Sequence, residues 1–308
     1  MRFILQLAVC LTVLTAVMQP LAEAKTRCRH KTVGTTPTQA ATGQAPTTTS
    51  AKTTAAAGAT LAPTSNTPAT GGSGKRGLAV PWDSVGSDID AVAANGKITW
   101  MYNWETYAPP GGKQFEFVAM LRTGSADDLS RFKTNMPTSK AKYLSCINEP
   151  DIADQANMSV DQAVKIWKEV CWPQKVALGL KIGAPAISNG ASGLPWLQEF
   201  ISKVQASNPP DFYPIHWYGS SSADFQSHVE KVHTAINKPI WVTEFASQQT
   251  STADQKTFLT AAMKFLDGAA YVERYSWFAY SRTAKINDAS RLLSASGAKT
   301  DLMTLYSS

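Results

Sequence analysis

The chain has 308 residues, 44% of them hydrophobic and 17% charged, and its formal net charge is +6 at pH 7. Residues 1–76 hold eight of the 29 basic residues but only one of the 23 acidic residues, which leaves 21 basic and 22 acidic groups in residues 77–308. The excess of positive charge therefore belongs to the amino-terminal quarter, and the near-neutral remainder gives no support to a nucleic-acid partner.

The first 24 residues have the pattern of a secretory signal peptide. Arg2 supplies a positive charge, residues 4–17 form an apolar core, and Ala22-Glu23-Ala24 has the small-x-small form of a cleavage site. The core is shorter than the ~20 apolar residues that a membrane span needs, which disfavours a membrane anchor. We expect a secreted protein, extracellular or associated with a cell wall, with no membrane span.

Residues 25–76 are predicted to form a disordered stalk or propeptide. Residues 32–74 contain 14 Thr, 10 Ala, 6 Gly, 4 Pro and 3 Ser and no aromatic residue, a composition that buries too little apolar surface to order the chain. We expect O-glycosylation of this segment. The pair Lys75-Arg76 at its end has two interpretations, a site for a dibasic processing protease or two solvated charges at a domain edge.

From Gly77 onward the composition changes, and all nine Trp residues lie in residues 77–308, which is one domain's worth of chain. Eight short apolar runs follow at nearly regular intervals, and most are too continuously apolar to be strands with one wet face. The predicted strands are residues 77–82, 98–104, 116–122, 143–149, 182–188, 212–218, 240–246 and 274–280.

Helix-like segments lie between these strands. Ser159 and Gln162 form a capping box before an apolar run, residues 125–135 begin with a serine cap, and Thr252 precedes apolar residues at helical spacing. Alternation of eight strands with helices predicts an α/β fold, a (β/α)8 TIM-type barrel over residues 77–308, preceded by the signal peptide and stalk. The weak link is residues 105–115, which are rich in Pro and Gly. An open doubly wound sheet is the alternative, but no GxGxxG turn follows the first strand.

Two cysteines and one glycosylation sequon fall in the predicted barrel. Cys146 and Cys171 are either a disulfide, which an exported chain permits, or two buried thiols. Asn157 begins the sequon Asn-Met-Ser, which is typical of a glycosylated surface loop. No Cys/His cluster has the spacing of metal ligands, so we expect no metal and no cofactor. We also expect a monomer.

The predicted strands end in polar and aromatic residues at the edge where such barrels carry their chemistry. Glu149 ends strand four and Glu244 ends strand seven, so the two carboxylates are expected to face each other across the barrel mouth. Opposed carboxylates are what glycosidic cleavage needs, one to donate a proton and one to attack carbon or activate water. Aromatic side chains around the mouth would offer flat faces to sugar rings. The alternatives are a strand-terminating turn at Glu149 and aromatic residues that belong to the core.

The motifs SCINEPD at residues 145–151, HWYG at 216–219 and WVTEFA at 241–246 resemble the fungal glycoside hydrolases of family 128, with their Asl1-like catalytic core. GLAVPW, WMYNWE and WFAY also look like this family, so the resemblance covers residues 77–308. This family belongs to a clan of barrels with catalytic glutamates on strands four and seven. The resemblance implies that Glu149 is the acid/base and Glu244 the nucleophile of a retaining double displacement.

The same resemblance implies further substrate-binding residues. Asn148 would bond the sugar 2-hydroxyl, an interaction that strengthens at the transition state. His216 and Tyr218 would lie near Glu244, and one of them would donate to it and hold its pKa below that of Glu149. The remaining candidates around the mouth are Asn103, Trp104, Trp217 and Trp277, the three Trp residues as sugar platforms. Three other Trp residues are predicted to be core: Trp82, Trp100 and Trp241.

The predicted function is that of a secreted retaining endo-β-1,3-glucanase that acts on fungal wall glucan. A β-glucan-binding protein without turnover is the alternative from another class, and the presence of both glutamates favours the enzyme. A barrel hydrolase for another β-linked polysaccharide would share every catalytic residue. The expected partner is therefore a β-glucan polysaccharide or oligosaccharide.

Overall fold

The computed structural model describes residues 74–93 and 96–308. The predicted signal peptide and nearly all of the predicted stalk lie outside these residues. The eight strands of the described part are β1 Arg76–Ala79, β2 Ile98–Tyr102, β3 Glu116–Leu121, β4 Tyr143–Cys146, β5 Lys181–Gly183, β6 Tyr213–Gly219, β7 Ile240–Ser247 and β8 Val272–Trp277. The α-helices are α1 Gly86–Asp90, α2 Ala126–Asn135, α3 Val160–Ile166, α4 Trp172–Leu178, α5 Gly193–Val204, α6 Ser222–Ile236, α7 Thr252–Gly268 and α8 Asp301–Tyr306.

The strands form one parallel sheet that curls into a barrel. Its order is β5-β4-β3-β2-β1-β8-β7-β6, and every paired neighbour runs parallel. The two end strands approach each other through parallel bridges between Gly183 and Phe212 and between Ile187 and Ile215. The predicted (β/α)8 TIM-type barrel is thus confirmed. In the part of the chain that the structure describes, no helix has the length and apolar character to cross a membrane.

Serine caps in the sequence account for four of the eight α-helix starts among the described residues. Serine side chains at residues 125, 159, 221 and 251 each accept a hydrogen bond from the backbone N–H three residues later, the usual way to satisfy a free helix amide. The capping box of Ser159 and Gln162 is confirmed. No helix forms in residues 103–115, where Gly111 and Gly112 have positive φ, so the predicted weak link is a loop.

The barrel interior is filled by aromatic side chains. Trp100, Phe212 and Trp241 form the centre of this inner cluster, and the rings of Phe212 and Trp241 stack with centroids 3.8 Å apart. Two strand glycines make room for them, because a Cβ at Gly77 would lie 2.2 Å from Trp100 and a Cβ at Gly183 would lie 2.4 Å from Phe212. The larger outer core lies between the strands and the helices. Trp100 and Trp241 are therefore core residues, as predicted.

The folded domain begins before Gly77. Arg76 is 6% exposed in β1, where it pairs with Asp267 at 2.9 Å and donates to the carbonyls of Tyr306 and Ser308. Lys75 donates to three carbonyls at the end of α7, a favourable place for a cation. The prediction of a domain edge at residue 77 with an exposed Lys75-Arg76 pair is wrong, because these cations bind the last helices of the barrel.

Replacing Arg76 by alanine is expected to lower the free energy of unfolding by about 3–5 kcal/mol, since Asp267 then loses the partner of a largely buried ion pair. Urea denaturation followed by tryptophan fluorescence measures this change. Lys256→Ala is the matched control, because its pair with Asp301 is exposed on both sides and such pairs contribute ~0–1 kcal/mol. Equal stability of the two variants would contradict the role of Arg76.

Candidate active site

The backbone leaves regular strand geometry where β4 ends. Ile147 and Glu149 have φ values of 72° and 44°, although a β-branched side chain rarely adopts a positive φ. Hydrogen bonds from Ile147 N to Leu121 O (2.7 Å) and from Glu149 N to Ala186 O (2.8 Å) hold this conformation. Strict alternation would point residues 147 and 149 the same way. Instead Ile147 packs in the outer core while Glu149 reaches the barrel mouth, so strained backbone places the glutamate.

A bulge in β7 places the second glutamate. Ile215 of β6 pairs with Val242, but His216 pairs with Glu244, so Thr243 is an extra residue in β7. Without it, Glu244 would share a face with Val242, which packs in the outer core. The bulge turns Glu244 toward the interior, and bulges re-aim side chains in this way beside active sites.

His216 joins the two glutamates. The imidazole has no exposed surface, its Nδ1 lies 2.8 Å from Glu149 Oε1, and its Nε2 lies 3.4 Å from Glu244 Oε1. Nε2 also lies 3.1 Å from Thr243 Oγ1, the hydroxyl of the bulged residue. One buried side chain on β6 therefore contacts both carboxylates.

The two carboxylates differ in how firmly they are held. Glu244 Oε2 accepts a hydrogen bond from the Tyr218 hydroxyl at 2.5 Å, and Oε1 accepts from Trp104 Nε1 at 2.8 Å and from the Tyr102 hydroxyl at 3.5 Å. Glu149 is bonded through Oε1 to His216, and its Oε2 has no hydrogen bond to any residue in 74–93 or 96–308. Glu244 is thus fixed in orientation, while one oxygen of Glu149 remains available.

Glu149, His216 and Glu244 bring their polar atoms close together. Glu149, His216 and Glu244 each offer an atom within 4.8 Å of the others. Such a group could also surround a metal ion, but the hydrogen bonds through His216 already explain its closeness. Retaining glycosidases hold their carboxyl groups ~5–5.5 Å apart, and inverting enzymes hold them ~6.5–9.5 Å apart to admit a water. One oxygen of Glu149 and one of Glu244 lie within 4.8 Å of each other, which is compatible with the shorter of these two spacings.

Burial and the interactions among Glu149, His216 and Glu244 shift the pKa values of these three groups. Burial raises the pKa of Glu149, but the hydrogen bond and charge of His216 outweigh it, so this pKa lies below its usual value. Burial lowers the pKa of His216, but the charges of Glu244 and Glu149 raise it above its usual value. Burial raises the pKa of Glu244, and the charge of Glu149 adds to this effect against the opposition of His216, Tyr218 and Trp104.

The predicted order of the two pKa values is therefore wrong for the unliganded protein. The sequence placed the lower pKa on Glu244, whereas the structure places it on Glu149. The reason is that His216 makes its short hydrogen bond to Glu149. The expected donor to Glu244 is present as Tyr218, whose own pKa is raised well above 10.0 by burial and by Glu244, so it stays a protonated donor. Because His216 Nδ1 and Glu149 Oε1 lie 2.8 Å apart, the two groups titrate together, and a proton between them belongs to the pair.

The family model described as "Glycosyl hydrolase catalytic core" matches residues 77–306. The chain belongs to this family. Alkali-sensitive linkage protein 1 of Schizosaccharomyces pombe is 35% identical over 246 residues, which are 76% of this chain and 44% of that protein. The chain thus spans less than half the length of that curated relative.

Solved structures extend the assignment of this glycoside hydrolase. A family 128, subgroup III, curdlan-specific exo-β-1,3-glucanase from Blastomyces gilchristii, solved with glucose, is 31% identical, with a TM-score of 0.65 over 77% of this chain and 99% of that chain. A subgroup IV endo-β-1,3-glucanase from Lentinula edodes is 29% identical, with a TM-score of 0.66 over 76% and 99% of the two chains. The predicted membership of family 128 is confirmed.

One of the three Trp residues that were predicted to be sugar platforms lies at the barrel mouth, and the other two are buried elsewhere. Trp104 lies there and donates to Glu244. Trp217 is 4% exposed and stacks on Phe258 in the outer core, and Trp277 has no exposed surface and donates to the carbonyl of Ser290. Neither can be a sugar platform, because each lies on the strand face that is turned toward the helices. Trp82 was predicted to be core, but it is 90% exposed.

The two predicted asparagines differ. Asn148 is 4% exposed, its Nδ2 donates to Gln155 Oε1 at 3.4 Å, and its Oδ1 is buried without a hydrogen-bond partner among the described residues, so its contact with a substrate hydroxyl stays a prediction. Asn103 bonds the loop backbone instead, donating to Tyr107 O at 3.0 Å and accepting from Glu105 N at 3.3 Å. With both amide atoms engaged and 8% of its surface exposed, Asn103 holds the loop, and the prediction that it binds substrate is not supported.

Three site residues were missed by the sequence argument. Tyr102 and Thr243 bond the Glu244–His216 group, and the ring of Phe278 packs edge-on against both Trp104 and Tyr218, which donate to Glu244. Alternation along WMYNW puts Tyr102 on the same face as Trp104, so a period-two signal was present for it. Thr243 and Phe278 carried no such signal, because a bulge and the loop after β8 decide their directions.

Cys146 and Cys171 form a disulfide and are not two free buried thiols. The bond ties the end of β4, three residues before Glu149, to the π-helical turn at Trp167–Cys171 that follows α3. This turn precedes Pro173, whose missing N–H interrupts the helical bonding pattern. The sequon residue Asn157 is exposed on the loop before α3, and its glycosylation stays a prediction.

Removing the Tyr218 hydroxyl is expected to slow the hydrolase. In Tyr218→Phe, Glu244 loses a short hydrogen bond to its charged form, a contribution of ~1.5–3 kcal/mol, so kcat/KM falls about 10- to 100-fold. That bond lowers the Glu244 pKa, so its loss moves the acid limb of the pH–rate profile to higher pH. Tyr271→Phe, on the helix-side loop before β8, is the matched control. An unmoved acid limb would contradict the assigned role.

Proposed function

We propose that this glycoside hydrolase cleaves β-1,3-glucan with retention of anomeric configuration. The proposal rests on one observation: one carboxylate oxygen of Glu149 and one of Glu244 lie within 4.8 Å of each other at the barrel mouth. The substrate is taken from the β-1,3-glucanases of family 128 that this chain resembles over nearly their whole length.

The geometry supports the following division of roles between the two glutamates. Glu244, oriented by Tyr218 and Trp104, attacks the anomeric carbon as the glycosidic C–O bond breaks, and the leaving oxygen takes a proton from Glu149. Water then attacks the same carbon, Glu149 removes a proton from that water, and the bond between Glu244 and the sugar breaks. The free Oε2 of Glu149 is the atom that would face the leaving oxygen, and Asn148 Oδ1 would accept a bond from the sugar 2-hydroxyl.

Product analysis tests this proposal. The protein is incubated with β-1,3-, β-1,3/1,6- and β-1,4-glucans and mannan, and the products are resolved by size, while NMR follows the anomer released first. We expect products from the β-1,3-linked glucans, with the β-anomer appearing first. Initial release of the α-anomer would contradict retention. Binding without new reducing ends would favour the glucan-binding alternative.

We further propose that the enzyme cleaves internal linkages of the glucan chain, which is endo action. Relatives described as endo-acting and as exo-acting both resemble this chain, so the family alone does not choose between them. Endo cleavage would release a spread of oligosaccharide sizes early in the digestion. Accumulation of a single small product from the start would mean exo action.

We also propose that the protein is secreted and acts on wall glucan. The disulfide between Cys146 and Cys171 supports this, because such bonds form and persist in oxidising compartments. Cell fractionation and amino-terminal sequencing test the proposal, with a mature chain beginning after residue 24 as the expected result. A shift in gel mobility after deglycosylation, lost in Asn157→Gln, would support glycosylation of the exported protein.

A further inference from the structure

Trp82 has a larger exposed fraction than any other Trp of this chain. All nine Trp residues lie in the described region, and the other eight are buried or half-buried, whereas Trp82 is 90% exposed. Exposing an indole leaves a large apolar face in water without any gain in packing. The side chain therefore contributes little to folding.

Trp82 lies on the catalytic face of the barrel. It follows the carboxyl end of β1 by three residues and precedes α1, and loops at the carboxyl ends of the strands build the mouth that holds Glu149 and Glu244. The loop between β2 and β3 presents a second aromatic ring, Tyr107, which is 46% exposed. Tyr107 is anchored through its carbonyl to Asn103, the neighbour of Trp104 at Glu244.

The loop that carries Trp82 is held rigidly. A turn closes from Ser84 N to Pro81 O at 2.9 Å, and Asp83 accepts hydrogen bonds from Lys285 and Thr283 of the loop after β8 at 2.7 and 2.6 Å. On the other side, a Cβ at Gly111 would lie 2.4 Å from Gly86 O, so the loops after β1 and β2 are in close contact. The indole is thus displayed by braced backbone rather than by a mobile loop.

We propose that Trp82 is a sugar-stacking platform at the rim of the cleft, where a pyranose ring of the glucan chain beyond the cleaved linkage rests. This inference rests on the proposed β-1,3-glucan substrate. A rigid, flat and isolated apolar face matches the C–H face of a pyranose ring. A protein partner would instead need an interface of about 800 Å² per side, and only Val85 and Tyr107 accompany Trp82 as large exposed apolar residues on these loops.

The platform is expected to act on long chains. In the full-length protein, Trp82→Ala should raise the KM for laminarin about tenfold, the order of magnitude of one lost stacking contact, with a smaller change in kcat. The loss in kcat/KM should be larger for laminarin than for laminaritriose. In a Glu244→Gln background, the same replacement should weaken retention on insoluble curdlan, and Trp82→Phe, which keeps a flat ring, should restore part of it.

Val176→Ala is the matched control, because Val176 is 82% exposed in α4, which leads into the amino end of β5 on the opposite face. Equal KM and equal curdlan retention in Trp82→Ala and Val176→Ala would overturn the platform while leaving glucan cleavage intact. A change from dimer to monomer in Trp82→Ala by light scattering would overturn it in favour of self-association. A wild-type protein that neither binds nor cleaves glucan would contradict the proposed function itself.

Discussion

Glu244→Gln is expected to abolish release of reducing ends from laminarin, with a loss of at least about a thousandfold in kcat. Glutamine keeps the size of the side chain, and its one carbonyl oxygen can still accept a hydrogen bond in place of one of the two carboxylate oxygens that Tyr218 and Trp104 contact. It lacks the charge and nucleophilicity that bond formation to the anomeric carbon requires. Glu149→Gln is expected to cause a comparable loss on glucan, because the leaving sugar oxygen then receives no proton.

The two variants are distinguished by their substrates. On an aryl β-glucoside or laminarioside with a good leaving group, Glu149→Gln should still form the glycosyl-enzyme, since that leaving group needs no proton, and azide should speed its breakdown. Glu244→Gln should fail on both substrates, because the attacking carboxylate is missing.

Glu199→Gln is the matched control, since Glu199 lies exposed on α5 and, within residues 74–93 and 96–308, forms an ion pair with Lys203 alone. Thermal melts of all three variants should agree within a few degrees. Turnover of laminarin by either active-site variant at the rate of Glu199→Gln would remove the catalytic assignment. The reverse pattern on activated substrates would exchange the two roles.

Replacing His216 by glutamine is expected to narrow the pH–rate profile from both sides. The charge of His216 opposes the raised pKa of Glu244, so its removal raises that pKa further and moves the acid limb to higher pH. The raised pKa of His216 lets the His216–Glu149 pair keep its proton above the ordinary range of a carboxyl group. With glutamine the proton must sit on Glu149 alone, so the basic limb moves to lower pH.

At the wild-type optimum this variant should lose about a hundredfold or more in kcat/KM, the range that a proton-transfer group contributes. His233→Gln is the matched control, because His233 stacks on Tyr271 and bonds Lys238 O on the helix side of the barrel. Measuring kcat/KM from pH 4 to 8 for both variants separates a positioning role from a structural one. A uniform fall with unmoved limbs would mean that His216 only holds the shape of the site.

Much of the architecture was readable from local patterns. Eight apolar runs marked the strands, and serine caps at residues 125 and 159 marked two helix starts. These features depend on residues close in the chain, where periodicity and capping chemistry act. The positions of Glu149 and Glu244 at strand ends followed from the same reasoning, because parallel strands gather their carboxyl ends on one face.

The direction in which individual side chains point could not be predicted from these local patterns. Regular alternation leaves Glu244 facing the helices, and one extra residue in β7 reverses this. Trp277 and Phe278 are neighbours in sequence, yet the first is buried in the outer core and the second packs beside the donors to Glu244. Sequence showed aromatic residues near the mouth, but bulges and loop backbone select which of them reach it.

The order of strands and helices, the barrel and the pair of glutamates at its mouth could be predicted from the sequence, because these arise from patterns repeated along the chain. The pKa order of the two glutamates, the burial of Arg76 and the exposure of Trp82 are visible only in the folded structure. Each of these depends on contacts between distant residues: His216 meets Glu149 across 67 positions, and Arg76 meets Asp267 across 191. Charge and burial are set by those contacts, and no local pattern contains them.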